Sequence, residues 1–404
     1  MPSPGNQFLS DEFGDIEDYF ISDYQLIDQY IGDQLWGWGK NGYGQLGVND
    51  TTQRNTPVTT LLGGTNWKQV NISSRYNTAA IKTDGTLWVW GANFYANLGT
   101  NGPNTQTPVT TFAGGNNWKQ VSGGYYYTVA IKTDGTLWTW GNNAYGQLGV
   151  NDTTIRSTPV TTLLGGTNWK QVAGGNTHIA AIKTDGTLWT WGNNGSGQLG
   201  INGGVPRSTP VTTILGGTNW KQVSCGRTHT AAIKTDGTLW LWGEGFWGGL
   251  GVNDITNRST PVTTLLGGTD WKQVSCGYSY TAAIKTDGTL WTWGRNTYGQ
   301  LGVNDTTDRS TPVTTLLGGT NWKQVSCPGS GSVISTQTAA AIKTDGTLWT
   351  WGNNANGQLG VNDTTDRSTP VTTLLGGTNW KQVSAGYTNV AAVTAGQTPF
   401  VDFS

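Results

Sequence analysis

The sequence has no long hydrophobic run. None of its segments approaches the ~18 consecutive apolar residues of a membrane-spanning helix, and residues 1–20 lack the basic region and apolar core of a signal peptide. These absences predict a protein that does not insert into membranes and that carries no export signal.

Cysteine is rare, with three residues in a chain of 404. Cys225, Cys276 and Cys327 are 51 residues apart and occupy one slot of successive repeats. Equivalent points on stacked sheets lie about 10 Å apart, whereas a disulfide needs Cα atoms within about 7 Å. The spacing predicts buried free thiols and gives no support to a disulfide framework or a CxxC metal site.

Catalytic and metal-binding motifs are also missing, since no GxSxG, P-loop or HExxH sequence occurs. No acidic residue recurs beside the two histidines, His178 and His229, and a general base needs a positioned partner. The loop GVNDTTDRSTP (302–312 and 360–370) has neither the spacing nor the final Glu of a calcium loop. We predict no catalytic residue, metal or cofactor, and interpret these residues as hydrogen-bonding and turn residues.

What the chain does contain is a repeated unit of about 51 residues. LWxWG and WKQV each occur seven times and together hold 21 of the 22 tryptophans. AAIKTDGTLWTWG predicts a hairpin with an Asp-Gly turn, and TPVTTLL and WKQVS predict two further strands separated by a Gly-Gly turn. Seven units of four short strands predict an all-β, seven-bladed β-propeller.

The tryptophans and the chain ends fit a closed ring. Alternation puts both tryptophans of LWxWG on one face of the strand, where they would fill the core between neighbouring sheets. The chain starts in the middle of a unit, at DQLWGWG (33–39), and ends with the missing strand, NVAAVTAG (389–396). We therefore predict that one blade is built from both ends of the chain, which leaves no sheet edge unpaired between the first and last blades.

Two segments, SCGRTHTAAIKTDGTLWLWG (224–243) and WGRNTYGQLG (293–302), resemble the repeat of the regulator of chromosome condensation family. The resemblance extends over residues 33–396 and implies a seven-bladed propeller. The family includes a Ran nucleotide exchange factor that docks on nucleosomes, a plant ultraviolet-B photoreceptor, a secreted β-lactamase inhibitor and bacterial and phage structural proteins. The resemblance therefore implies a fold more specifically than a function.

Two of these functions find little support in the residues. In the photoreceptor, the light-sensing tryptophans lie two places before a position of the repeat that the family fills with His. No Trp occurs at that place in any unit of this sequence, so we predict that this protein is not a photoreceptor. Thirteen of the 14 lysines fill two repeated slots, which spreads positive charge around the ring, whereas nucleic-acid binding needs clustered charge. We predict no nucleic-acid partner.

Recognition residues are expected where the near-identical units differ. These places are the loop after VS, the positions before GQLG and an enlarged loop at 327–338, and they carry aromatic and Arg residues of the types enriched at protein interfaces. The candidates are Arg75, Tyr76, Phe94, Tyr95, Tyr125, Tyr126, Arg227, Phe246, Trp247, Tyr278 and Tyr387. In the alternative interpretation these side chains only decorate one rim or pack within the fold.

The N-terminal segment differs from the repeats, because residues 1–34 contain eight acidic residues and no Lys or Arg. We divide the chain into an acidic amphipathic arm, 1–32, and the propeller, 33–404. Apolar residues at helical spacing suggest an anchor, although Gly14 and the β-branched residues also allow an extended peptide. The anchor residues are Phe13, Ile16, Phe20, Tyr24 and Ile27.

These observations favour a non-enzymatic structural or binding module with protein partners in a larger assembly. We expect a phage virion protein or a microbial surface protein, located in a virion or at the cell surface, that displays loops to a protein or glycan. The alternatives are a regulatory interaction protein of the Ran exchange-factor type and a proteinaceous enzyme inhibitor.

Overall fold

The computed structural model describes residues 32–61, 64–72, 76–331 and 337–396. Outside these segments lie the predicted anchor residues and one loop residue, namely Phe13, Ile16, Phe20, Tyr24, Ile27 and Arg75. The described residues form 28 strands and one short 3₁₀ helix, Phe246–Gly248. In chain order the strands are β1 Gln34–Gly39, β2 Arg54–Thr59, β3 Trp67–Ile72, β4 Asn77–Lys82, β5 Leu87–Gly91, β6 Thr105–Thr110, β7 Trp118–Gly124, β8 Tyr127–Lys132, β9 Leu137–Gly141, β10 Arg156–Thr161, β11 Trp169–Gly174, β12 His178–Lys183, β13 Leu188–Gly192, β14 Arg207–Thr212, β15 Trp220–Cys225, β16 His229–Lys234, β17 Leu239–Gly243, β18 Arg258–Thr263, β19 Trp271–Cys276, β20 Tyr280–Lys285, β21 Leu290–Gly294, β22 Arg309–Thr314, β23 Trp322–Ser326, β24 Thr338–Lys343, β25 Leu348–Gly352, β26 Arg367–Thr372, β27 Trp380–Ala385 and β28 Asn389–Thr394.

The strands form seven antiparallel sheets of four, which are the blades of a propeller. Blades 1 to 6 each contain four consecutive strands, from β3 to β6 in blade 1 up to β23 to β26 in blade 6. Blade 7 has the order β2-β1-β28-β27, and β1 pairs with β28 from Gln34↔Thr394 to Gly39↔Asn389. The predicted propeller and its closure by strands from both ends of the chain are confirmed.

Antiparallel pairing places successive connections at opposite ends of each blade. We call the upper face the end with the loops between the first and second strands and between the third and fourth strands. The lower face carries the turns between the second and third strands and the connections between blades. The predicted Asp-Gly turns lie on the lower face: Asp134 Oδ1 accepts hydrogen bonds from Thr136 N–H and Oγ1–H at 2.9 and 2.7 Å, and Gly135 has a φ of 81°.

The fourth strand of each blade differs from the prediction. The expected TPVTTLL strand begins earlier, as in Arg309–Thr314, and ends before the two leucines. It ends there because Leu316 N–H donates to the Gly302 carbonyl at 2.8 Å and Gly318 N–H donates to the Thr315 carbonyl at 3.0 Å, which turns the chain out of the sheet. The leucines therefore belong to a lower-face loop.

Tryptophans fill the gaps between blades, as predicted. The second Trp of LWxWG and the Trp of WKQV are at most 2% exposed in all seven blades. Each indole N–H of the former group donates to a carbonyl of the preceding blade, as Trp191 does to Gln147 at 2.9 Å. The first Trp of LWxWG is only half-buried, because it lies at the lower end of the strand, where the sheets meet solvent.

The glutamine of WKQV joins the innermost strands into a ring. Gln222 Nε2–H donates to the Val274 carbonyl at 2.8 Å, and its Oε1 accepts from Val274 N–H at 2.9 Å. The same pair of bonds is made by all seven glutamines, Gln69, Gln120, Gln171, Gln222, Gln273, Gln324 and Gln382. The last of them bonds Val70 in blade 1, so the amide ring is continuous around the central channel.

Candidate functional site

An aromatic cluster covers part of the upper face across blades 7, 1 and 2. We call it the aromatic surface and define it as Tyr43, Tyr76, Phe94, Tyr95, Tyr125 and Tyr126. The ring centroids of Tyr43 and Phe94 are 5.0 Å apart, those of Phe94 and Tyr126 are 5.9 Å apart, and those of Tyr95 and Tyr126 are 4.9 Å apart. The rings therefore form one connected surface from three blades.

The loops hold these rings toward solvent to different degrees. Phe94 is 48% and Tyr95 is 40% exposed, Tyr125 and Tyr126 are half-buried, and Tyr76 lies beneath them at 9%. Tyr126 has a φ of 63°, a left-handed conformation that non-glycine residues adopt at a cost and that here directs the ring onto its neighbours.

Tyr43 belongs to this surface although the sequence analysis did not select it. It occupies the slot before GQLG, as Tyr95 does in the next unit, and its ring lies 4.6 Å from that of Tyr76. The signal that could have identified it is the equivalence of the units, because the same slot of the next unit holds the predicted Tyr95, whose ring lies 4.9 Å from that of Tyr126.

A second group of upper-face residues, which we call the arginine surface, lies on blades 4 and 5. It contains the predicted Arg227, Phe246, Trp247 and Tyr278. The Arg227 guanidinium is 4.7 Å from the Tyr278 ring centroid, and the rings of Phe246 and Trp247 are 4.8 Å apart.

Two charged residues complete the arginine surface and were missed by the sequence analysis. Glu244 accepts a hydrogen bond from Thr228 Oγ1–H and lies 3.7 Å from Arg227. Arg295 is 7% exposed and stacks 4.8 Å from the Trp247 ring centroid. Both charges are thus engaged within the surface. Phe246, which is 49% exposed, is the most accessible large apolar side chain of the arginine surface.

The remaining predicted residues lie deeper. Tyr278 and Tyr387 are 2% and 1% exposed, so they support the upper face rather than project from it. The described first part of the enlarged loop, residues 327–331, crosses the mouth of the channel, where Gly331 N–H donates to Asn176 Oδ1 of blade 3 at 3.1 Å. Gly329 and Ser330 line a channel cavity of about 150 Å³ together with serine and cysteine residues of the inner strands.

The histidines are structural. Thr230 Oγ1–H donates to the Gln198 carbonyl, so its oxygen accepts from His178 Nε2–H at 2.9 Å. His229 makes the equivalent bond with Thr281 at 3.1 Å. Burial lowers the pKa of His178 to about 3 and that of His229 to about 4, so both imidazoles are neutral and connect neighbouring blades.

The other candidate chemistry is also accounted for. The three cysteines are free and buried, as predicted, and burial raises the pKa of Cys225 and of Cys327 to about 12. Asp305 Oδ1 accepts from Thr307 N–H at 2.9 Å and Oδ2 pairs with Arg309 at 2.5 Å, which is turn chemistry. Among the described residues, no group of three His, Cys, Asp or Glu could hold a metal ion.

The lower face carries a ring of exposed apolar residues that are not among the predicted site residues. They come from the LLGG loops between blades and are 37–71% exposed: Leu61, Phe112, Leu163, Leu164, Ile214, Leu215, Leu265, Leu266, Leu316, Leu317, Leu374 and Leu375. We call them the leucine ring. The signal was present, since two adjacent leucines cannot both face the core of one strand.

The six lysines that precede the Asp-Gly turns lie between indoles on the same face. Lys132 Nζ, for example, is 4.7 Å from the ring centroids of both Trp118 and Trp138. The equivalent residues are Lys82, Lys183, Lys234, Lys285 and Lys343. No helix in the described segments has the length and apolar character needed to cross a membrane.

Family models match almost the whole propeller. An RCC1-like domain matches residues 34–340, and the regulator of chromosome condensation (RCC1) repeat matches residues 345–393.

Curated relatives match about half of this chain. The ultraviolet-B receptor UVR8 of Arabidopsis thaliana is 33% identical over 244 residues, which are 57% of this chain and 52% of the receptor. The probable E3 ubiquitin-protein ligase HERC4 of Mus musculus is 32% identical over 206 residues, which are 50% of this chain and 19% of the ligase. This chain therefore spans about half the length of the receptor and about a fifth of the ligase.

Solved structures show the same fold. Yeast RCC1 (Prp20), crystallised with Kap60, aligns with a TM-score of 0.79 at 18% identity over 93% of this chain and 92% of that one. A structure of Prp20p from Saccharomyces cerevisiae, described together with its binding to Gsp1p and histones, aligns with a TM-score of 0.77 at 18% identity, covering 93% and 94%.

Proposed function

Since this chain belongs to the family of RCC1-like domains, we propose that it is a non-catalytic, regulatory protein-binding module. The relatives support protein partnering in general: Prp20 is bound to Kap60 in one structure, and its binding to Gsp1p and histones is described with the other. The relatives described above give no support to a phage virion or a microbial surface protein, so the regulatory alternative is the better supported one.

The aromatic surface is the proposed contact site. The observation that carries this proposal is the connected run of rings from three blades with Phe94 and Tyr95 at its exposed centre. Tyr and Phe give large contact area at low entropic cost, and interface energies concentrate in such anchors. The arginine surface has fewer exposed rings and engages its charges internally, which makes it the weaker candidate.

A photo-crosslinking experiment tests the proposal. p-Benzoylphenylalanine is placed at Phe94 or, as a control, at Phe112, which is also an exposed Phe but lies on the lower face. In an extract of the source cells, we expect a protein adduct from position 94 and none from position 112. An adduct from position 112 alone would move the binding site to the leucine ring.

Two further variants quantify the contact once the adduct has been identified. Phe94→Ala and Tyr95→Ser introduce the residues that blades 2 and 3 carry at the same places, Ala144 and Ser196, so the fold should tolerate them. Each should weaken partner binding roughly 10–100-fold, the usual effect of truncating a central aromatic anchor. Phe112→Leu, which copies blade 2, should leave the affinity unchanged.

Exchange activity is a separate outcome to be measured. At 18% identity the likeness to Prp20 shows the fold alone. Release of a fluorescent GDP analogue from Gsp1p in the presence of this chain provides the direct assay. Acceleration would identify an exchange factor, whereas binding without acceleration would leave the module a binding protein.

The anchoring role of the arm, residues 1–32, remains a proposal, as do its boundary with the propeller and any location in an assembly. Deleting this segment should abolish incorporation into the assembly while leaving a folded propeller. Undiminished incorporation would refute the role.

A further inference from the structure

Blade 7 differs from the other six at one lower-face position. The lysine that pairs with the Trp of WKQV in the other blades, as in Trp118↔Lys132, is replaced by a threonine in the pair Trp380↔Thr394. The position lies at the ring closure, where the two strands that an Asp-Gly turn joins in the other blades come from opposite ends of the chain.

The two indoles nevertheless keep the arrangement that holds a lysine elsewhere. The ring centroids of Trp36 and Trp380 are 6.3 Å apart with planes at 66°, compared with 6.3 Å and 73° for Trp118 and Trp138. A cavity of about 310 Å³ lies against Trp36, Trp380 and Thr394.

In the described part of the chain, no lysine or arginine occupies this cavity. The neighbouring lysine, Lys381, pairs with Asp33, and no cation from the described segments lies over either indole. Thr394 Oγ1 accepts a hydrogen bond from Trp36 Nε1–H at 3.3 Å, a contact at the edge of the indole and not over its face.

We propose that the slot between Trp36 and Trp380 binds a lysine side chain presented by a partner protein. The chemistry is set by six internal precedents, in which a primary ammonium on a four-carbon chain lies 4.7–5.5 Å from two indole centroids. Indole faces attract cations, most strongly when the cation is partly desolvated. Leu375 of the leucine ring lines the same cavity, so apolar residues beside the partner's lysine would also find a surface.

This site is on the opposite face from the aromatic surface, so the two proposals can fail independently. The probe is n-butylammonium, with n-butanol as the uncharged control, and binding is followed through the indole N–H signals in ¹H–¹⁵N spectra. Trp36→Phe identifies the signal of Trp36. We expect this signal to shift with butylammonium in the millimolar range, where single cation–π contacts act, and not with butanol.

Two matched variants test the location. Thr394→Lys restores the residue of the other blades, so it should abolish the shift and raise the melting temperature. Lys343→Thr removes the lysine between Trp322 and Trp349 in blade 6 and should produce a second site, which doubles the stoichiometry. Equal binding by the wild type and by Thr394→Lys would overturn the proposal, and that comparison stands even if Lys343→Thr fails to fold.

A peptide pair tests the source of the ammonium. Capped Ala-Lys-Ala should shift the Trp36 signal, and the same peptide with an Nε-acetylated lysine, which has lost the charge, should not. If butylammonium binds but neither peptide does, the slot accepts only free amines and the proposed partner lysine is wrong.

Discussion

Removing one glutamine of the amide ring provides the most direct test of how the propeller is held together. In Gln222→Ala, the Val274 N–H and C=O groups lose their partners, while Val274 itself is 1% exposed. An unsatisfied buried polar group costs about 1–3 kcal/mol, so the two groups together cost about 2–6 kcal/mol. Channel water beside the half-buried glutamine offsets part of this, and we expect a loss of about 2–4 kcal/mol in the free energy of unfolding.

Urea unfolding followed by both tryptophan fluorescence and far-ultraviolet circular dichroism measures this loss. The control is Lys221→Ala, one residue away, whose side chain is exposed and which should change stability by less than about 0.5 kcal/mol. If Gln222→Ala unfolds at the same urea concentration as Lys221→Ala, the amide ring does not stabilise the fold and the reasoning is wrong.

Three other predictions follow from burial and backbone geometry. Burial holds the imidazoles of His178 and His229 neutral and lowers their pKa values from 6.5 to about 3 and about 4. Unfolding below pH 6.5 therefore takes up protons, so the free energy of unfolding should fall from pH 6.5 toward pH 4, by up to about 1.4 kcal/mol per pH unit for each histidine. Urea titrations at several pH values measure this. A double variant to Asn, the residue of blades 1 and 7, should lose the dependence between pH 6.5 and about pH 5, above the range in which the turn aspartates with lowered pKa take up protons. Burial raises the pKa of Cys225 to about 12, so Ellman's reagent should label it only after unfolding, and rapid labelling of the native protein would contradict this. Gly302 has a φ of 71°, and a Cβ there would be 3.0 Å from an indole nitrogen of the next blade. Gly302→Ala should therefore lower the free energy of unfolding, measured in urea, by about 1–3 kcal/mol. Gly42→Ala, at a position with open space around it, should lower it much less.

The blades can be predicted from the sequence because the same core residues recur in seven units. The spacing of the tryptophans gives the strand faces, and the incomplete units at the two ends give the closure. The end of the fourth strand cannot be read in this way. Leu316 leaves the sheet because its N–H bonds to Gly302, and that contact joins residues 14 positions apart in sequence.

The candidate site is less predictable for a related reason. Interface-type residues can be selected from the differences between units, but their contacts depend on which blades become neighbours. Tyr43 meets Tyr76 across the boundary between two successive units, and Tyr278 is covered by its surroundings although Phe94 is not. Residue type identifies the candidates, while packing decides which of them reach a partner.

Ring closure also explains how nearly identical units acquire a unique position. In six blades, the lysine before the Asp-Gly turn lies against the lower-face indoles of its own blade. One hairpin carries both this lysine and the first Trp of LWxWG, because the second and third strands of these blades are consecutive in the chain. In the seventh blade, the second and third strands come from the two ends of the chain, and no Asp-Gly turn joins them. The bonds of Gln382 nevertheless complete the amide ring in this blade. The indole pair of Trp36 and Trp380 is retained because the core needs it, whereas its internal cation is not. A binding site at this position therefore arises from the topology of closure, and restoring lysine at Thr394 should remove it without disturbing any other blade.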